Sequence, residues 1–203
     1  MSQPAFDTET ENYMFDVIKS GWWSQGKITE QFEKNLSEYF PSNAIVVNNG
    51  TSAITAALLA HGIKSGDKVV VPDYTFIATC SAAKIIGAEI LVADVDPNTL
   101  NVRPESIEKL VKENDVKAVM VVDMAGLPVD LEPIIELSKR YKFVLIEDAA
   151  HAFGTNYEDK YTKAYNKLKR MYKYNYNDEW HDETDLRTPS KYRRKIDWYN
   201  KEV

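Results

Sequence analysis

The 203-residue chain has a single cysteine, Cys80, so it has no internal disulfide framework and no cysteine-rich zinc site, and it suits a reducing compartment. It lacks an apolar run of the roughly 18 residues that a membrane span needs. Its first residues, Met1-Ser2-Gln3-Pro4, are polar and carry no apolar signal core. Positive charge is also short. A formal net charge of -6 gives no electrostatic footprint for nucleic acid. Neither a P-loop nor a GxGxxG turn occurs, which counts against a dehydrogenase-type dinucleotide domain. These absences leave a cytoplasmic α/β protein without membrane segments as the baseline expectation.

Short apolar runs alternate with helical patterns along most of the chain. Residues 7–20 and Thr29 to Phe40 read as helices, the first stopped by Ser20-Gly21 and the second by Pro41. Between them lies Gly21-Trp22-Trp23-Ser24-Gln25-Gly26, a loop whose tryptophans either line a ligand pocket or cap the core. Ala44-Ile45-Val46-Val47, Lys68 to Pro72, Glu89 to Asp96, Lys117 to Asp123 and Phe143 to Ile146 read as strands, with helices between them. Regular alternation with short turns predicts an α/β fold, a mostly parallel sheet with helices on both faces. Ligands of such sheets bind beyond the carboxyl ends of the strands.

Several polar residues fall at those ends. Asn49-Gly50-Thr51-Ser52 joins a strand to a helix, so it either cradles a phosphate on amides and hydroxyls or merely caps the helix through Thr51 or Ser52. Phe76 follows a strand end, placed to stack on a flat ring or to join the core. Asp94 and Asp96 share a face, but Pro97-Asn98 after them favours a turn over a metal, and no metal site is expected. Val144-Leu145-Ile146-Glu147-Asp148-Ala149-Ala150-His151 carries an apolar run straight into acids and a histidine. That is how a buried strand reads when it opens into a ligand crevice.

Ser20-Gly21-Trp22, Asn49-Gly50-Thr51-Ser52-Ala53, Val71-Pro72-Asp73-Tyr74-Thr75-Phe76-Ile77-Ala78-Thr79, Val95-Asp96-Pro97 and Ile146-Glu147-Asp148-Ala149-Ala150-His151 occur in an order similar to that of a known family. The chain resembles the DegT/DnrJ/EryC1/StrS family of pyridoxal-phosphate-dependent sugar aminotransferases over roughly residues 5 to 160. The resemblance implies the three-layer α/β/α large domain of fold-type I enzymes, as a partial domain over 1–160, with a divergent tail at 161–203. It implies pyridoxal 5'-phosphate as cofactor. Gly50, Thr51 and Ser52 would hold its phosphate, Phe76 would stack on its ring, and Asp148 would pair with its ring nitrogen. His151 would sit beside its phenolic oxygen. Trp22 and Trp23 would lie on the sugar-nucleotide side. The implied reaction moves an amino group from an amino acid, with glutamate the expected donor, to a nucleotide-linked keto sugar, in a homodimer that completes each site across its interface.

The catalytic residue is not identified. Family members carry a lysine that forms a Schiff base with the cofactor, in a segment beyond the acid-bearing strand. Tyr157-Glu158-Asp159-Lys160 still fits the expected hairpin, and then the pattern ends. Residues 161–203 contain no glycine, and their aliphatic residues are sparse. Lys191, in Thr188-Pro189-Ser190-Lys191, has surroundings that do not match. Three readings of the tail stay open: a frameshifted or truncated end, a basic-aromatic extension able to touch nucleic acid, or disorder. The expectation is a chain that alone has little or no transaminase activity. A non-catalytic binding or interaction fragment and a sugar dehydratase, the activity of lysine-less relatives, are the alternatives.

Overall fold

The computed structural model describes residues 7–40 and 42–155, in two units that divide between Asn48 and Asn49. The tail at 161–203, the hairpin at 157–160 and Lys191 lie outside the described residues.

The first unit holds helices α1 (Thr8–Ser20) and α2 (Lys27–Tyr39). Asp7 caps α1 by accepting the Thr10 N–H at 2.8 Å, and Gly21 closes it at φ 70°. The apolar stripe Tyr13, Met14 and Ile18 that marks α1 in the sequence remains exposed, and neither helix carries a buried residue. The expected strand at Ala44–Val47 does not form. Its amides are taken by side chains of α2 instead: Ser37 Oγ accepts from Ala44 N at 2.9 Å, and Glu33 Oε1 accepts from Val46 N at 2.8 Å. A strand needs a neighbour's ladder, and with those donors committed and Ile45 exposed the apolar run stays irregular.

The second unit opens with α3 (Gly50–Ala60). It continues through β1 (Lys68–Pro72), α4 (Ile77–Ile85), β2 (Glu89–Ala93), α5 (Pro104–Glu113), β3 (Val116–Val122), α6 (Leu131–Tyr141) and β4 (Val144–Asp148). The four strands form one parallel sheet in the order β2-β1-β3-β4. Alternate residues of the central strands serve opposite faces, as the period of two requires. Val69, Val71, Ala118 and Met120 pack with Ile54 and Leu58 of α3 and Ala82 and Ala83 of α4. Val70, Val119 and Val121 pack with Ile107 and Val111 of α5 and Ile134 and Leu137 of α6. The result is three layers, helices on both faces of a parallel sheet. β2 is shorter than its sequence reading. Asp94 leaves the strand to pair with Arg103 at 3.0 Å, and Asp96 Oδ1 accepts the N–H groups of Asn98 (2.8 Å) and Thr99 (3.0 Å) as a turn.

Connections matter as much as strands. Gly87 links α4 to β2 at φ 81°, and a Cβ there would fall 2.7 Å from Ser65 Oγ. Gly87→Ala is therefore expected to cost about 1–2 kcal/mol from the left-handed backbone alone, with a lowered urea midpoint as the readout.

Candidate active site

The chain leaves β1 for β2 on one side, then crosses back to β3 and β4 on the other. The strand order reverses between β1 and β3, and ligands of such sheets bind beyond the carboxyl ends of the strands at that point. α4 joins β1 to β2 and so runs opposite to them, which puts its N-terminus at this end; α3 precedes β1 and packs against α4 and β4.

At the start of α3 the cap is Asn49, not Thr51 or Ser52. Its Oδ1 accepts the Ser52 N–H at 2.8 Å, and its carbonyl accepts the Ala53 N–H at 3.1 Å. The N–H groups of Gly50 and Thr51, and the hydroxyls of Thr51 and Ser52, have no hydrogen-bond partner among the described residues. A Cβ built on Gly50 meets nothing within 4 Å, so the side of the turn that it faces is open. Free amides, two hydroxyls and the positive end of a helix are what an anionic phosphate requires.

At the start of α4, Phe76 is the N-cap residue and is 71% exposed, which excludes the core reading and leaves its ring face available. The fully buried Thr79, one turn on, ties α4 to β4: its hydroxyl lies 3.1 Å from Asp148 Oδ2 and 2.8 Å from Thr75 Oγ1. The other carboxylate oxygen, Oδ1, accepts the Ala150 N–H at 3.2 Å. Asp148 ends β4 beside Val122 of β3, and its carbonyl accepts the Asp123 N–H at 3.2 Å. His151 is exposed on the following turn, which the Ala152 N–H closes onto the Ala149 carbonyl at 2.8 Å. The structure thus joins the first turn of α4 directly to Asp148, and α3 packs against α4 and β4 on the same face. Trp22 and Trp23 belong to the first unit, where both are exposed. Each indole N–H is held by a local carbonyl, Trp22 by Gln25 at 3.0 Å and Trp23 by Ile18 at 3.4 Å.

A second carboxyl pair escaped the sequence reading because only the strand register creates it. Glu147 points to the opposite sheet face from Asp148 and hydrogen-bonds Asp123, whose Oδ1 also accepts the buried Val129 N–H at 2.9 Å. Two carboxyl groups bond to each other only by sharing a proton. Burial, then the negative charge of Asp123 and the shared hydrogen bond, push Glu147 up to about 7. Burial also raises Asp123, against the lowering effect of the Val129 N–H and of Glu147. Much of the Glu147 residue is exposed, so solvent screening limits the energy involved.

The pair has a pH signature. Between the ordinary 4.5 of a glutamate and about 7, the folded chain holds a proton that the unfolded chain has released. Stability therefore falls as pH rises through that window. Glu147→Gln keeps a donor for Asp123 and removes the titration. Its melting temperature should change less than the parent's between pH 5 and 8, as followed by circular dichroism, and should exceed the parent's at the upper end.

An open, doubly wound α/β domain is thus defined, with free amides and hydroxyls at the start of α3, an exposed aromatic ring at the start of α4 and a fixed carboxylate at the end of β4. The chain belongs to the DegT/DnrJ/EryC1/StrS aminotransferase family, whose model matches residues 4–171. It is similar to the aminotransferase from Psychrobacter cryohalolentis, at 36% identity and a TM-score of 0.72 over 77% of this chain and 40% of that one. It is similar to 3-amino-5-hydroxybenzoic acid synthase at 33% identity and a TM-score of 0.70, over 75% and 40% of the two chains. NtdA from Bacillus subtilis, solved with bound cofactor PMP, matches at 34% identity and a TM-score of 0.67, over 71% and 34%. The chain spans about 40% of the length of the first two of these proteins.

Proposed function

We propose that this chain is the cofactor-holding part of a pyridoxal-phosphate-dependent sugar aminotransferase. The observation that carries the reading is the Thr79-anchored Asp148 at the carboxyl end of β4, tied through Thr79 to the helical turn that carries the exposed Phe76. The residues present fit the cofactor. The Gly50 and Thr51 amides and the Thr51 and Ser52 hydroxyls would hold its phosphate; the Ser52 amide is already taken by Asn49. Phe76 would cover one ring face, Asp148 would keep the ring nitrogen protonated, and His151 would stand by the phenolic oxygen. When bound, the cofactor supplies a ring that accepts electrons as the amino group moves.

The substrates that suit this reading are an amino-acid donor, with glutamate the expected one, and a keto sugar carried on a nucleotide. By the family resemblance Trp22 and Trp23 would serve the substrate side; within the first unit both rings are exposed and their N–H groups are held by local carbonyls. A Cβ on Gly26 would fall 2.6 Å from Trp22 Nε1, so a substitution there would shift the exposed Trp22 ring. A second copy of the chain is the partner proposed to complete the site. Residues 1–160 form the partial large domain of this proposal, and no lysine in the sequence is assigned the covalent role.

Equilibrium dialysis with pyridoxamine phosphate tests the site: saturable one-to-one binding that inorganic phosphate displaces is expected. Failure to bind overturns the proposal. Formation of 2-oxoglutarate from glutamate by the chain alone, supplied with pyridoxal phosphate and a nucleotide keto sugar, would show that a catalytic lysine is present after all.

A further inference from the structure

Thr79 is a fully buried residue in the first turn of α4. A helical threonine usually returns its hydroxyl to a backbone carbonyl one turn earlier. This one does not. It lies 3.1 Å from Asp148 Oδ2, 69 residues away in sequence, and 2.8 Å from Thr75 Oγ1. Each hydroxyl has one proton to give. A carboxylate only accepts, so with Asp148 ionised the Thr79 proton points at Asp148, and Thr75 must be the donor to Thr79. The direction of the whole relay follows from donor counting.

The relay anchors one side of a carboxylate that is held from the other by the Ala150 N–H on Oδ1. One bond per oxygen fixes the plane of the group and leaves acceptor capacity on both oxygens for an incoming N–H. The same helical turn carries Phe76, whose carbonyl accepts the Thr79 N–H at 3.1 Å. Ring face and ring nitrogen would therefore be addressed from a single turn of α4.

We propose that Thr79, oriented by the Thr75 hydroxyl, is a positioning residue that sets the Asp148 carboxylate for its contact with the cofactor's ring nitrogen. This rests on the reading of Asp148 given under the proposed function. Neither threonine touches the reacting atoms; both act through Asp148.

The test is calorimetric titration of the full 203-residue chain with pyridoxamine phosphate and with its analogue carrying C–H in place of the ring nitrogen. The amine form avoids adventitious reaction with lysines. The parent chain should bind pyridoxamine phosphate more tightly than the analogue. Thr79→Val should weaken pyridoxamine phosphate by about fivefold, the worth of one hydrogen bond, and leave the analogue unchanged. Thr79→Ser should restore parental binding. Thr75→Val, at a half-buried position, should shift the same ratio less and serves if Thr79→Val does not fold. Equal losses for both ligands, or no loss for either, would overturn the positioning role while leaving the Asp148 reading intact. A parent chain that does not distinguish the two ligands overturns the Asp148 reading, and the inference falls with it.

Discussion

Asp148→Ala should weaken pyridoxamine phosphate binding by about ten- to a hundredfold, the range of a lost hydrogen bond to a charged group. Two neighbours lose a partner as well. The Thr79 hydroxyl, 3.1 Å from Oδ2, would be left buried without its acceptor, and the Ala150 N–H would lose Oδ1. The Thr75–Thr79 bond would then be free to reverse. Asp148→Asn is the sharper comparison. It preserves shape and can still accept from Thr79, but it cannot supply the negative charge that keeps a pyridine nitrogen protonated. The two substitutions should therefore weaken binding of the ring-nitrogen ligand, and neither should affect its carbon analogue through charge. Calorimetry of both ligands separates the loss of a contact from the loss of a charge.

Met120→Ala should be the most damaging of the single core truncations in β3. Met120 is fully buried in a central strand of the sheet and packs with the α3 and α4 face. Truncation of a buried methionine costs about 2–5 kcal/mol, part of it the transfer of the removed atoms and part the cavity left behind. Against a typical total of about 5–15 kcal/mol, that is enough to threaten the folded state at ambient temperature. Met120 also supports the site indirectly. It pairs with Ile146 in the register that places Asp123 beside Asp148. A urea titration followed by far-UV circular dichroism should show a strongly lowered midpoint. An unchanged midpoint would mean that the β3–α3/α4 packing contributes little.

How much of this could be read from residues alone depends on the range of the interaction. Lys68 to Pro72 is apolar on both faces, and its strand matches the sequence reading because a strand covered on both sides needs no alternation to declare itself. Pro104 at the first turn of α5 and Gly21 beyond α1 set boundaries through local backbone chemistry, which a short window contains. Ala44–Val47 has the same apolar signature as a strand but forms none, because pairing is decided by a neighbour rather than by the segment. Asp148 and Phe76 were legible as positions at or after strand ends, and Gly50-Thr51-Ser52 as the start of a helix, though the strand expected before it is absent. Their supports were not. Asn49 as the helix cap competes with two equally suitable neighbours, and only coordinates separate them. Thr79 looks like an ordinary residue of a small-residue helix, and the Asp123–Glu147 pair depends on the register of β3 against β4. Both are long-range contacts that no local pattern encodes.

The most direct measurement of the central claim is a titration of the ¹⁵N-labelled chain with pyridoxamine phosphate, followed through its backbone amide resonances. Saturable shifts concentrated at Gly50 and Thr51, at Phe76 to Thr79 and at Asp148 to His151 are expected, with the Gly50 and Thr51 shifts reproduced by inorganic phosphate. Binding that leaves those amides unmoved, or that perturbs a different face of the domain, would contradict the assignment of this end of the sheet as the cofactor site.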